Sequence, residues 1–152
     1  MLVNGSTLNG GSESYMRKHI VFIEAAIQCA LKSKMFHRHG SVIVKRNRII
    51  GSGYNMMLKQ PKRQQYSIHA EVNAIEDAKQ KGHTFDGTRM YVIRLMRESN
   101  HHDHCLRLRN SLPCSHCSRF ITAHNILKVY FTCDESYTYE FTRSTSRMKH
   151  SV

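Results

Sequence analysis

Three residues of this chain have the chemistry of a zinc site, and a fourth has the chemistry of a proton shuttle. His69 offers an imidazole nitrogen, and Cys114 and Cys117 offer two thiolates. A catalytic zinc takes about three protein ligands and keeps one position for water, so this donor set leaves room for a reaction. Glu71 stands two residues after His69. A carboxylate beside zinc-activated water accepts a proton and hands it to a leaving group, which is hydrolytic chemistry. A Cys-x-x-Cys pair alone reads as a redox pair or a structural zinc half-site as readily as a catalytic site. The upstream His69-Ala70-Glu71 and the Pro113 before Cys114 favour catalysis.

The elements that must position these groups follow from local pattern. Cys114 and Cys117 stand at i and i+3 where a helix is expected to run to about His124, so they face the same way, and Pro113 suits a helix start. His116 between them points elsewhere. A second helix is expected from near His69 to about Lys81, closing at Gly82. Two helix N-termini then converge on the metal, with unpaired backbone N–H groups turned toward a substrate and a partial positive charge that favours thiolate.

Upstream, Ile20, Ile23, Ile27 and Leu31 recur at helical spacing, which predicts a helix from Tyr15, with Cys29 packing inside it. Residues 41–45 and 48–55 read as a hairpin around an Arg46-Asn47 turn. Residues 89–95 and 126–132 read as strands, and Asn125 as the cap of the helix between them. Residues 136–142 offer a last strand which, so close behind the one before, must run antiparallel to it. The expected fold is α/β, an α-β-α sandwich with a mixed central sheet of about five strands flanked by helices. Residues 1–14 are read as a flexible tail, 15–142 as the catalytic domain and 143–152 as a basic tail.

The pattern His-x-Glu followed by Pro-Cys-x-x-Cys resembles that of the cytidine and deoxycytidylate deaminase superfamily, over roughly Tyr15 to Thr132. The context His69-Ala70-Glu71-Val72-Asn73-Ala74-Ile75 is most similar to the deoxycytidylate branch. The resemblance implies Zn2+ held by His69, Cys114 and Cys117, with Glu71 as the catalytic proton shuttle. It further implies that Asn55 contacts the sugar and that the backbone at Ala70 and Ser115 contacts the base. The implied reaction adds water to C4 of a cytosine ring and expels ammonia to leave uracil. The family's habit implies a homo-oligomer. The stretch between Leu95 and Leu112 is longer than in compact members, and the short link to the last strand resembles the free-nucleoside branch instead.

Composition narrows the partner. Lys plus Arg number 23 against 11 Asp plus Glu, a formal charge of +12, which favours an anionic substrate or a nucleic acid. Lys59, Lys62, Arg63, Arg94, Arg97, Arg107 and Arg109 lie where a pocket mouth is expected, as cations for a phosphate or as ordinary solvated charge. Five cysteines, an odd number, and no secretory signal at the start predict an intracellular, cytoplasmic setting. No apolar stretch reaches membrane-spanning length. The His101-His102-Asp103-His104-Cys105 run is read as a solvated loop before a second metal site. The leading function is a deaminase of a cytosine nucleotide or nucleoside. Behind it stand a polynucleotide deaminase, acting on cytosine in single-stranded DNA or RNA or on tRNA adenosine, and a non-catalytic zinc-stabilised nucleic-acid-binding module.

Overall fold

The computed structural model of the chain describes residues 10–59, 65–97, 106–133 and 139–142. Helix α1 (Gly10–Leu31) leads into strands β1 (His37–Lys45), β2 (Arg48–Tyr54), β3 (Met56–Lys59) and β4 (Gln65–Ile68). Helix α2 (Ala70–Gln80), strands β5 (Arg89–Arg97) and β6 (Leu106–Arg109), helix α3 (Ser115–Ala123), and strands β7 (Lys128–Phe131) and β8 (Tyr139–Thr142) follow.

The main sheet runs β2-β1-β5-β7-β8, with β6 also paired to β5. Among the described strands only β5 and β7 are parallel, so the sheet is mixed, as expected. β8 is antiparallel to β7, with Lys128 opposite Thr142. β5 carries two partners along one edge: its first half, from Arg89 to Val92, pairs with β7, and its second half, from Arg94 to Arg97, pairs with β6.

Strict alternation sends each strand's side chains to two cores. Val42 and Val44, Tyr91 and Ile93, and Tyr130 pack against Phe22, Ala26 and Ala30 of α1. Ile43, Met90, Val92, Val129 and Phe131 pack on the other face against Ala74, Ile75 and Ala78 of α2 and Ile121 of α3. Helices therefore cover both faces, which is the expected sandwich. Cys29 lies in the α1-side core, as packing.

The hairpin turn has Arg46 at φ 48° and Asn47 at φ 61°, the two left-handed positions that match the twist of the flanking strands. Asn125, at φ 58°, closes α3. Helix α1 begins at Gly10, before the Tyr15 start that apolar periodicity selects, because propensity and capping carry no stripe to mark that turn. The tail expected over residues 1–14 therefore gives up its last residues to a helix; residues 1–9 and 143–152 lie outside the described residues. Two elements were absent from the sequence reading: the β3–β4 hairpin and β6. Among the described residues no helix is long and apolar enough to cross a membrane.

α2 lies very close to β2, and glycine permits it. A Cβ on Gly53 would come within 2.6 Å of the Ala70 carbonyl oxygen and 2.8 Å of the Asn73 carbonyl carbon. Polar ties hold the contact: Asn73 Nδ2 donates to the Tyr54 carbonyl at 3.0 Å, and Ser52 N donates to Asp77 Oδ2 at 2.8 Å. Gly53→Val must push the helix off the sheet. The expected loss is about 1–3 kcal/mol in denaturant unfolding, with a matching fall in thermal midpoint. An unchanged midpoint would show that the close approach is unimportant to the fold.

Candidate metal centre and cleft

The N-terminus of α2 presents the first ligand. His69 is its N-cap residue, extended at φ −79° and ψ 154°, and its side chain makes no capping hydrogen bond, so the ring is free to turn outward. Cys114 is the N-cap of α3, where its sulphur accepts from Cys117 N at 3.4 Å. Cys117 follows one turn later. The Nδ1 atom of His69 lies 3.3 Å from Cys117 Sγ and 3.7 Å from Cys114 Sγ, and the three donor atoms fall within 4.8 Å of one another. Ligands at ordinary zinc bond lengths in a tetrahedron stand about 3.6 Å apart for a nitrogen and a sulphur. Donor chemistry and spacing therefore both fit zinc.

His69 and Cys114 are exposed while Cys117 is buried, so the cluster is open on one side. That side faces a cleft of about 260 Å³ lined by residues of five segments, among them His37 and His39 of β1, Asn55, Ala70, Glu71 and Leu112. Glu71 is 4% exposed. Burial pushes its carboxyl up from the usual range, against the stabilising pull of its own backbone N–H, of His69 and of the Cys117 thiol. Burial, followed by the nearby Glu71 and Cys114, pushes the Cys117 thiol up strongly. His39 is held down to about 4, first by burial and then by Arg94, so it is neutral at physiological pH.

The connection that carries Cys114 is pinned where β5 parts from β7. Ser111 Oγ donates to the Val92 carbonyl at 2.8 Å, and Thr132 N donates to Ser111 Oγ at 2.8 Å. Ser111 N reaches the Thr132 carbonyl, also at 2.8 Å, and Thr132 Oγ1 reaches the Arg109 carbonyl at 2.7 Å. Ser111 and Thr132 are both buried. This network was not legible beforehand, because a lone serine in a polar stretch carries no signal of burial.

The other expected site residues divide. Ala70 and Asn55 line the cleft, whereas Ser115 is exposed and is not among its lining residues. Asn55 is bound on most sides: Nδ2 donates to the His37 carbonyl at 2.7 Å, and Oδ1 accepts from His39 N at 2.7 Å. Its amide bridges the β1 backbone across the cleft wall. His116 is exposed and outside the metal cluster, as helical geometry implied. Tyr91 is core, stacked on Tyr130 with centroids 4.9 Å apart and bonded to His19 Nδ1 at 2.8 Å. The histidine run at 101–104, Cys105, Lys62 and Arg63 lie outside the described residues.

Comparison with known proteins gives a consistent result. The family model for the cytidine and deoxycytidylate deaminase zinc-binding region matches residues 16–133. No curated protein sequence matches the chain. Among solved structures, a cytidine deaminase from Burkholderia pseudomallei is similar at 17% identity and a TM-score of 0.60, over 82% of this chain and 91% of that one. A dCMP deaminase from the cyanophage S-TIM5, in apo form, is similar at 21% identity and a TM-score of 0.54, over 78% and 83%. A diaminohydroxyphosphoribosylaminopyrimidine deaminase/5-amino-6-(5-phosphoribosylamino)uracil reductase from Thermotoga maritima is similar at 25% identity and 0.52, over 78% of this chain and 30% of that one. These likenesses concern the fold.

Proposed function

Since the chain belongs to the cytidine and deoxycytidylate deaminase zinc-binding family, we propose that it hydrolytically deaminates the cytosine of a nucleotide or nucleoside, with deoxycytidylate first. The observation that carries this reading is a buried carboxyl, Glu71, lining the same cleft as His69 and Cys114.

His69, Cys114 and Cys117 hold the zinc in this proposal. Bound there, the metal supplies Lewis acidity, which makes water acidic enough to act as a nucleophile near neutral pH. Glu71 does the proton work. It accepts one proton from the attacking water as the new C4–O bond forms and delivers it to ring N3, then takes the second proton from the C4 hydroxyl and passes it to the exocyclic amine, so that the C4–N bond breaks as the C4 carbonyl forms. One water is consumed and one ammonia released. Burial of Glu71 raises its proton affinity, which suits a group that must both take and give a proton.

In this reading the backbone N–H at Ala70 bonds the base, supported by its place in the first turn of α2 on the cleft wall, where N–H groups lack helical partners. Asn55 is assigned to the sugar end through the remaining capacity of its amide oxygen. The Ser115 backbone is the weaker base contact, since it is not part of the cleft lining.

The test is a substrate panel. Zinc-loaded protein is incubated with deoxycytidine, deoxycytidylate, a cytosine-containing oligonucleotide and tRNA, and ammonia release is measured. The expected result is turnover of a small cytosine substrate. Turnover of oligonucleotide or tRNA alone would overturn the small-substrate reading. Stoichiometric zinc with no turnover of any cytosine, adenine or guanine compound would favour a non-catalytic module.

A further inference from the structure

At the end of the sheet opposite the cleft, the strand register collects a row of cations. The cleft borders the start of β1, at His37 and His39, whereas Lys45 closes the same strand. Nine residues at about 3.3 Å each set the two ends roughly 26 Å apart. Lys45 stands opposite Arg48, Val44 opposite Arg89, and Arg89 opposite Lys128. Arg46 occupies the turn between β1 and β2. Four neighbouring strands, β2-β1-β5-β7, thus each bring a cation to one edge of the molecule. Thr142 of β8 lies opposite Lys128, so the chain runs on into Arg143 from the same end.

Lys45 and Arg89 bond neutral partners. Lys45 Nζ donates to the Thr84 carbonyl at 3.0 Å and to Thr84 Oγ1 at 2.7 Å. Arg89 Nη2 donates to Asn47 Oδ1 at 2.6 Å, and its guanidinium lies 5.6 Å from the centre of the Phe22 ring. These contacts hold the two groups in place without cancelling their charge. Arg46 and Arg48 are exposed. Among the described residues the ion pairs lie on α2, Glu76 with Lys79 and Asp77 with Lys81, and none involves Lys45, Arg46, Arg48 or Arg89. Asp86, exposed in the connection from α2 to β5, offsets one charge at most. Like charges at neighbouring strand ends repel, and a polyanion laid across them relieves that repulsion.

The shape of the row selects among polyanions. Neighbouring strands lie about 4.8 Å apart, so the row from β2 to β7 spans roughly 14 Å. One strand of a duplex carries a phosphate about every 3.4 Å of axis, so that span meets about four phosphates. A membrane surface is a poorer fit, because it also calls for an apolar face beside the charge. The exposed apolar side chains here, Ile49 on β2 and Leu127 just before β7, have β1 and β5 between them. The large exposed aromatics, Phe36 and Tyr66, belong to segments that lead into the cleft, so the row offers no platform on which bases could stack.

We propose that this row is a docking surface for the phosphodiester backbone of nucleic acid, bound independently of sequence and outside the reaction cleft. A polymer held there tethers the protein and leaves the cleft open. The surface does not depend on the deaminase reading.

The test is fluorescence anisotropy with the full zinc-loaded chain and labelled single-stranded DNA, RNA of the same sequence and duplex DNA, each of about 12 nucleotides, between about 50 and 200 mM NaCl. All three are expected to bind at the lowest salt, duplex first, with the two single strands within about threefold of each other and a log–log salt slope of magnitude about 3 to 4. Arg46→Gln with Arg48→Gln should weaken binding about tenfold and make the slope shallower by about 1.5, and Arg46→Glu with Arg48→Glu should weaken it further. Lys32→Glu with Arg119→Glu removes the same charge from exposed positions off the row, and should cost less than about threefold. Thermal melts confirm the fold of each variant. An equal loss in this control would show that net charge acts diffusely and would overturn the docking surface. Absence of binding at low salt, a large preference for one base sequence, or capture by phosphatidylserine vesicles with none by the oligonucleotides would overturn it as well.

Discussion

Glu71→Gln keeps its zinc and its fold and loses about a thousandfold or more in kcat. The substitution is isosteric at a position only 4% exposed, so packing changes little while the proton acceptor disappears. General acid–base groups contribute about 10²–10⁴-fold, and the upper part of that range is expected because one carboxyl serves every proton transfer in the cycle. The measurement is steady-state deamination beside metal analysis of the same sample. Equal activity in the variant and the wild type would remove Glu71 from the mechanism. A variant that lost its zinc would instead show that Glu71 supports the ligand cluster, a role its contact with the Cys117 thiol makes worth separating.

Cys117→Ala has the second large effect, on the metal itself. Cys117 is fully buried and belongs to the core under α2 and α3 as well as to the ligand cluster. Zinc content after dialysis is expected to fall from about one equivalent to near zero, and activity to vanish with it. In the metal-free protein the Cys117 thiol is pushed up by burial and by its acidic neighbours, so it carries a proton at neutral pH. Zinc must displace that proton. Apparent affinity should therefore weaken as pH falls, by about tenfold per pH unit for each proton released, and loading should acidify a weakly buffered solution. A variant that held stoichiometric zinc at pH 7 would exclude Cys117 as a ligand.

The cluster of His69, Cys114 and Cys117, which could hold a metal, and the fold class were legible because each rests on spacing along a few residues. His69-Ala70-Glu71 and Cys114-Ser115-His116-Cys117 fix their own helix starts, and the strands at residues 41–45 and 89–95 are continuous apolar runs. The antiparallel last strand followed from loop length alone. Other features had signals that went unused. Leu106-Arg107-Leu108-Arg109 alternates strictly, as a half-buried strand should, but the neighbouring histidines made the whole insert read as irregular. The β3–β4 hairpin flanks Pro61, and its two strands are only four residues each. The Ser111–Thr132 network could not be read in advance, because it joins positions far apart in sequence through a geometry that only the folded sheet creates. The basic residues were visible, yet among the described residues none of those expected at the pocket mouth lines the cleft.

The double pairing of β5 has a consequence for the order in which a nascent chain takes shape. β1 and β2 can close their hairpin as soon as both have emerged, and α2 can settle on β2 soon after. The strand that joins the two halves, β5, then lacks β6 until synthesis has passed Arg109 and β7 until it has passed Phe131. Ser111 cannot be pinned before Thr132 exists to hold it. Long-range pairings of this kind form late, since chain entropy must be lost before they are rewarded. If the cluster holds zinc as proposed, metal capture is therefore expected late in folding, and zinc content in a preparation is expected to track the fraction of molecules in which β7 has docked.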